Sequence, residues 1–398
     1  MGKYLKKFGE HTGYETFVQS DSFVMPNVSH CVTNEHVHYN PIIDWIDPEF
    51  KRICLENFNG GREMSYYDLA SVTQERWDQV VNANGSSIFS NNSEIHSIAD
   101  TEKFINVHTL GKSTFEGLTG VVGDLVIPSN IQYIKNQYVF RNMTGVTNII
   151  INHEISWTGN SGYDGPKAFA QLRKVSGIVD LRNFKKIGDY HEFDGLGAAG
   201  SGCQVLMPAL NQAFGVWFAS SKVSALAGSE EELVNGTIKI PEGYTHGGQL
   251  AFNDCALVRR VICPESMTTF DNFCGGDGSW NVVKYFELGS NTTSLKGAVC
   301  GENGHQGNTT VVVCKAVEPP LLSQGGVGIS GTDNQYNYPF MNTTITAIYV
   351  PKNSIGTYES DTRTAINDGS EIGWSRFAGK IKSIEEDLPQ DIANHLVP

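Results

Sequence analysis

Near its amino end the chain reads SHCVTNEHVHYNP, residues 29–41, which gathers His30, Cys31, His36 and His38. Imidazole and thiolate are the ligands zinc prefers, four to a tetrahedron. Residues 27–32 and 37–39 read as two short strands around a Thr33-Asn34-Glu35 turn. Strand alternation puts His36 and His38 on one face, and His30 or Cys31 opposite would complete a geometrically possible site. The spacing matches no standard zinc finger, and no nearby carboxylate stands out as a fourth ligand. The expectation is a hairpin that carries imidazoles and binds no metal.

Other chemistry is equally thin. The chain holds no G-x-S-x-G, no H-E-x-x-H and no P-loop. GLGAAGSG at 195–202 follows no strand-then-helix pattern and reads as loop. Glu230-Glu231-Glu232 and Glu385-Glu386-Asp387 read as solvated acidic runs. A glycan-cleaving pair of carboxylates roughly 5–10 Å apart need not be adjacent in sequence, so a polysaccharide-degrading enzyme stays as a third reading. The reading adopted has no catalytic residue and no cofactor.

Composition narrows the partners. The 398 residues carry a formal net charge of −14, which disfavours nucleic acid, since phosphate contacts need clustered cations. Only Lys3 to Lys7 is locally basic. No run of about 18 apolar residues exists, so no membrane insertion is expected. MGKYLKKFGEHTGYETF has a basic start without an apolar core behind it, so no secretory signal is expected. The eight cysteines form no C-x-x-C pair and read as buried, reduced side chains. Charged residues are sparse at 18% while Gly numbers 42, which favours strands and turns over long helices.

What must position any site is a repeat. GDLVIP at 123–128 and GTIKIP at 236–241 are its clearest copies. Weaker ones are NIIIN at 148–152, GIVDL at 177–181, QVLMP at 204–208, RVICP at 260–264, KYFEL at 284–288, VVVC at 311–314 and AIYVP at 347–351. Ile127 precedes Ile151 by 24 residues, Leu181 precedes Met207 by 26, and Ile240 precedes Cys263 by 23. A period in the twenties lies in the leucine-rich-repeat range. Phe115, Phe140, Phe169 and Phe252 each stand 10 or 11 residues ahead of a strand residue, and Phe193 and Phe273 stand 13 ahead. The rings and Ile127, Ile151, Leu181, Ile240 and Ile262 are expected to fill one shared core. Pro128, Pro208, Pro241, Pro264 and Pro351 stop strands, because proline cannot donate to a ladder. The competing architecture, a sandwich of antiparallel sheets, would not require a phenylalanine at a fixed offset.

These units resemble the BspA-like leucine-rich repeats of Bacteroidetes and their phages. LAFNDCALVRRVICPESM at 250–267 and STFEGLTGVVGDLVIPSNI at 113–131 carry the likeness best. It spans about 104–350, with insertions near 155–166, 194–203 and 296–307. The resemblance implies a solenoid of short parallel strands with turns and short helical segments, preceded by a small α+β region. Residues 50–73 look like the helix-loop-helix that often precedes such repeats. The loop Asn57–Glu63 lacks carboxylates at alternating positions, so no calcium is expected. Residues 351–398 resemble the family's closing segment, with Trp374 and Phe377 covering the last coil. The expected division is 1–42, a helix and hairpin attachment module; 43–103, a helical cap; 104–350, the solenoid; and 351–398, the closing cap and tail.

Pro26-Asn27-Val28-Ser29 and Tyr39-Asn40-Pro41 resemble an attachment module of Bacteroides phage and prophage virion proteins. That resemblance implies a non-enzymatic head or tail fibre or decoration protein in a virion, assembled in the host cytoplasm. Its partners would be capsid or tail proteins and a host surface glycan or protein, and it would be a homo-oligomer. A bacterial cell-surface adhesin of the same repeat family is the alternative. Trp157, Trp217 and Trp280 are conceivable sugar-stacking rings, with packing roles as the competing account.

Overall fold

A computed structural model describes the backbone of residues 28–33 and 36–41. It describes residues 43–394 in full apart from 82–86, 136, 159–166, 189–190, 216, 249–250, 253–254, 274–282, 298, 300–308, 324–338, 341–343 and 364–372. Apolar residues alternating with polar ones make short strands that each bury one face. Stacked, they form a parallel β-solenoid of leucine-rich-repeat type.

One wall of the solenoid holds Gly123–Val126 and Val146–Ile150, then Gly177–Asp180, Cys203–Leu206, Val223–Ala227, Thr237–Lys239, Arg260–Ile262, Tyr285–Leu288, Val311–Cys314, Ala347–Val350 and Ile381–Ser383. We call this the main wall. The first pair is a separate two-stranded sheet, and a 3.0 Å bond from Ser176 N to Thr147 O carries the stack across the break. The second wall is built from two- and three-residue strands. Those from Thr109–Leu110 to Phe184–Lys186 form one sheet, and those from Ala213–Phe214 to Leu321–Ser323 another. The Gln212 carboxamide bridges these two sheets. Its Nε2 donates to Ile187 O at 3.2 Å while its Oε1 accepts from Ile187 N at 3.4 Å.

Between the walls runs a column of rings. Phe50, Phe89, Phe115, Phe140, Phe169, Phe193, Phe218 and Phe252 follow one another, each within about 6 Å of the next. Phe273 ends the series edge-on to Phe252 at 5.8 Å. The turn carrying each ring is itself a ladder. Phe115 N donates to Val139 O, Phe140 N to Ala168 O, Phe169 N to Glu192 O and Phe193 N to Trp217 O, at 2.8–3.0 Å. The residue two beyond each ring has positive φ at Asn91, Gly117, Asn142, Gln171, Gly195 and Ser220.

One coil is much shorter than its neighbours. Ile238 pairs with Leu226, only 12 residues earlier, whereas Val261 pairs with Ile238 after 23. The chain leaves Val223–Ala227 and returns through residues 228–236 without visiting the second wall.

The amino-terminal end is closed by helices Pro48–Asn59, Tyr66–Ser71 and Gln74–Val81. Asp47 caps the first, accepting from Phe50 N at 2.8 Å. Its other oxygen accepts from His96 N and Ser97 N, at 2.6 and 2.9 Å. The buried Asp100 carboxylate accepts from Ile46 N and Asp47 N in return. In the loop after the helix, Asn59 Nδ2 donates to Arg62 O and Glu63 O, and Lys51 pairs with Glu63. At the other end Trp374 and Phe377 are buried against Phe340, with Tyr358 edge-on to Trp374 at 5.1 Å.

Candidate functional site

Solenoids of this kind meet partners through an extended face, so the outward side of the main wall is where a site would form. Alternation fixes which residues face out. Leu125, Ile149, Val179, Val205, Ile238, Val261, Phe286, Val312 and Ile348 belong to the central core. Their strand neighbours point the other way.

The inward assignment of Ile127, Ile151, Leu181 and Ile240 agrees with their burial in that core. Ile262 does not. Its neighbours Val261 and Cys263 join the core, and Ile262 is buried on the outer side at 6% exposure. RVIC is apolar on both sides of the strand, so hydrophobicity alone does not set its phase. Phe115, Phe140, Phe169, Phe193, Phe252 and Phe273 are all buried in the ring column. Phe50, Phe89 and Phe218 extend it and escaped the sequence reading, although Phe193 and Phe218 lie 25 residues apart.

The outer side has an open and a covered part. In the open part, Val126 and Ile178 are each 43% exposed. Asp124 is exposed and accepts from Asn148 Nδ2 at 3.3 Å. Asp180 pairs with Arg182 at 2.6 Å, and the Arg182 hydrogen bond holds the Asp180 carboxyl below its usual range. Aliphatic side chains thus alternate with amide, carboxylate and guanidinium groups on a wall of fixed spacing.

Farther along, the chain covers its own wall. The 228–236 return lies on it, with Asn235 Oδ1 accepting from Gln204 Nε2 at 3.0 Å and Glu232 paired with Lys239 at 2.5 Å. Leu206, Ala225 and Ala227 are buried. The carboxy-terminal helices Ile384–Asp387 and Gln390–Ala393 form a strap. Its Ile384, Leu388 and Ile392 pack with Tyr285 on Val311, Val313, Ala347 and Tyr349.

Strands Val28–Thr33 and His36–Pro41 pair antiparallel, with Cys31 opposite His38, His30 opposite Tyr39 and Val28 opposite Pro41. Pro26 and Asn27 lie outside the described residues, as do the side chains of His30, His36 and His38. Among the described residues no group of three or more His, Cys, Asp or Glu could hold a metal ion. Cys54, Cys203, Cys255, Cys263 and Cys314 are all buried. Trp157 and Trp217 are buried, so neither is a sugar platform, and Trp280 lies outside the described residues.

The model of the BspA type leucine-rich repeat region matches residues 62–191 and 232–298 in six copies. Over those residues the chain carries BspA-type leucine-rich repeats. The shortened coil straddles the start of the second matched segment at residue 232. No curated protein matches the chain. Among solved structures it is similar to the crystal structure of the pneumococcal vaccine antigen PcpA, at 12% identity and a TM-score of 0.28, over 70% of this chain and 76% of that one. No helix among the described residues is long and apolar enough to cross a membrane.

Proposed function

We propose that this chain is a non-enzymatic adhesion protein, a head or tail fibre or decoration protein of a Bacteroidetes phage. Its solenoid faces a host surface, and residues 1–42 attach it to capsid or tail proteins as part of a homo-oligomer. The observation that carries the adhesive part is the open stretch of the main wall, where Val126 and Ile178 stand exposed beside Asp124 and Asp180 on stacked strands. Such a surface suits an extended partner better than a small molecule enclosed in a pocket. The antiparallel hairpin at Val28–Thr33 and His36–Pro41, before the helical cap, supports a separate attachment role for the amino end.

Mass spectrometry of purified particles tests the virion reading, with the protein expected among their components. Its recovery from a bacterial cell envelope instead would favour a cell-surface adhesin. Binding of the full chain to host cells tests the adhesive reading. Ile178→Glu, which alters an exposed side chain, should weaken that binding several-fold at unchanged thermal stability. Release of reducing ends from host capsule would make the protein an enzyme and overturn the reading.

A further inference from the structure

Arg260 opens strand Arg260–Ile262 on the covered part of the outer wall and is 2% exposed. Among the described residues its Nη1 and Nη2 are both buried with no hydrogen-bond partner. Thr237, its register partner on the neighbouring strand, is 3% exposed, and its Oγ1 is also buried without a partner among the described residues. On the other side its register partner is Tyr285, whose ring centroid lies 5.0 Å from the guanidinium carbon. Burying a charged fork costs several kcal/mol unless acceptors meet it. Burial lowers the Arg260 pKa, and the charges of Glu287 and Asp391 oppose that fall. The chain as a whole is at −14, so this cation is a local device.

The three side chains make a consistent set. A planar guanidinium fork matches a carboxylate through two parallel hydrogen bonds. A hydroxyl beside it reaches a second polar group, and an aromatic ring alongside accepts the apolar face of a sugar. We propose that Arg260, Thr237 and Tyr285 form a subsite for a carboxylated sugar, its carboxylate on the Arg260 fork. This rests on the adhesive reading and adds a ligand class on the covered part of the same wall. The strap lies on the same face, held by Ile384, Leu388 and Ile392, and it carries Asp391. In the closed strap Ile384, Leu388 and Ile392 pack with Tyr285, so a ligand enters only where the whole strap lifts, its carboxylate taking over the role of the Asp391 charge.

The test is titration calorimetry on the full chain with three probes: glucuronate, sialyllactose and neutral lactose. At least one acidic probe should bind about tenfold or more tightly than lactose, and Arg260→Met should lose that preference. Arg260→Met should fold, because replacing a buried unpartnered charge by an apolar side chain of similar length is neutral or stabilising. Thr237→Val is a second variant, expected to weaken the same binding several-fold. Equal binding of acidic and neutral probes by the parent, or undiminished preference in both variants, overturns the proposal. If the parent adheres to host cells but prefers no acidic sugar, the subsite falls and the adhesive reading stands. If acidic sugars bind but no host surface is recognised, the adhesive reading falls instead.

Discussion

Phe140 lies over Phe169 with ring centroids 5.1 Å apart and planes 27° from parallel. The two residues are 29 positions apart in sequence and belong to successive coils, so the contact exists only once both coils are stacked. Phe169 also meets Phe193 at 5.6 Å. Phe169→Ala should cost about 3–5 kcal/mol, the range for removing a buried phenylalanine. Urea unfolding followed by circular dichroism reads this, and a loss below about 1 kcal/mol would show that the column is ornamental.

Gly117 occupies a turn with φ of 72°, and a Cβ there would stand 2.2 Å from Asn91 Oδ1. Both conformation and space therefore oppose a side chain. Gly117→Ala should destabilise by about 1–3 kcal/mol. Gly356→Ala, with nothing within 4 Å and no positive φ, is the matched control. Thermal melts that fall equally in the two variants would refute the distinction.

Asn130 joins three carbonyls of the preceding coil through one nitrogen. Its Nδ2 donates to Thr101 O, Phe104 O and Val107 O, at 3.0, 3.1 and 2.9 Å. Asn130→Ala leaves these acceptors without that donor and should cost about 1–3 kcal/mol. Hydrogen exchange should quicken first between residues 101 and 110. Faster exchange confined to the carboxy-terminal coils would contradict the assignment.

His191 titrates far from its ordinary value. Burial pushes it down from 6.5 to about 4, helped by the Lys167 charge. The unfolded chain therefore takes up this proton before the folded one does. The stabilising share of neutral His191 is complete above about pH 6.5 and is lost as pH falls towards 4. His191→Gln should flatten the stability profile across that window, as seen in urea melts between pH 4 and 7. Identical slopes in parent and variant would discard this origin for the acid sensitivity.

The repeat was legible because alternation, a Gly before the strand and a Pro after it, and a ring at a fixed offset all recur in residues such as Phe115, Ile127 and Pro128. Val223–Ala227 was not, because it lacks the proline stop and its partner strand begins after a short return. Ile262 is buried as expected but outside the central cluster, because the outer face at that point is apolar and covered. Asn130 and Gln212 were invisible for another reason. Their partners are main-chain atoms of a neighbouring coil, and a carbonyl has no sequence identity. Nothing in the sequence marks Arg260 as buried, and the strap on the same face follows more than 120 residues later.

The coil closed by Leu226 and Ile238 makes the molecule a ruler with one short division. Stretched from its ends, a typical coil of 23 residues would pay out roughly 80 Å of chain, at about 3.5 Å per residue. The 12-residue coil would release about half as much. A single-molecule trace would therefore contain one undersized step, and its place in the sequence of rips would reveal from which end the filament unwinds.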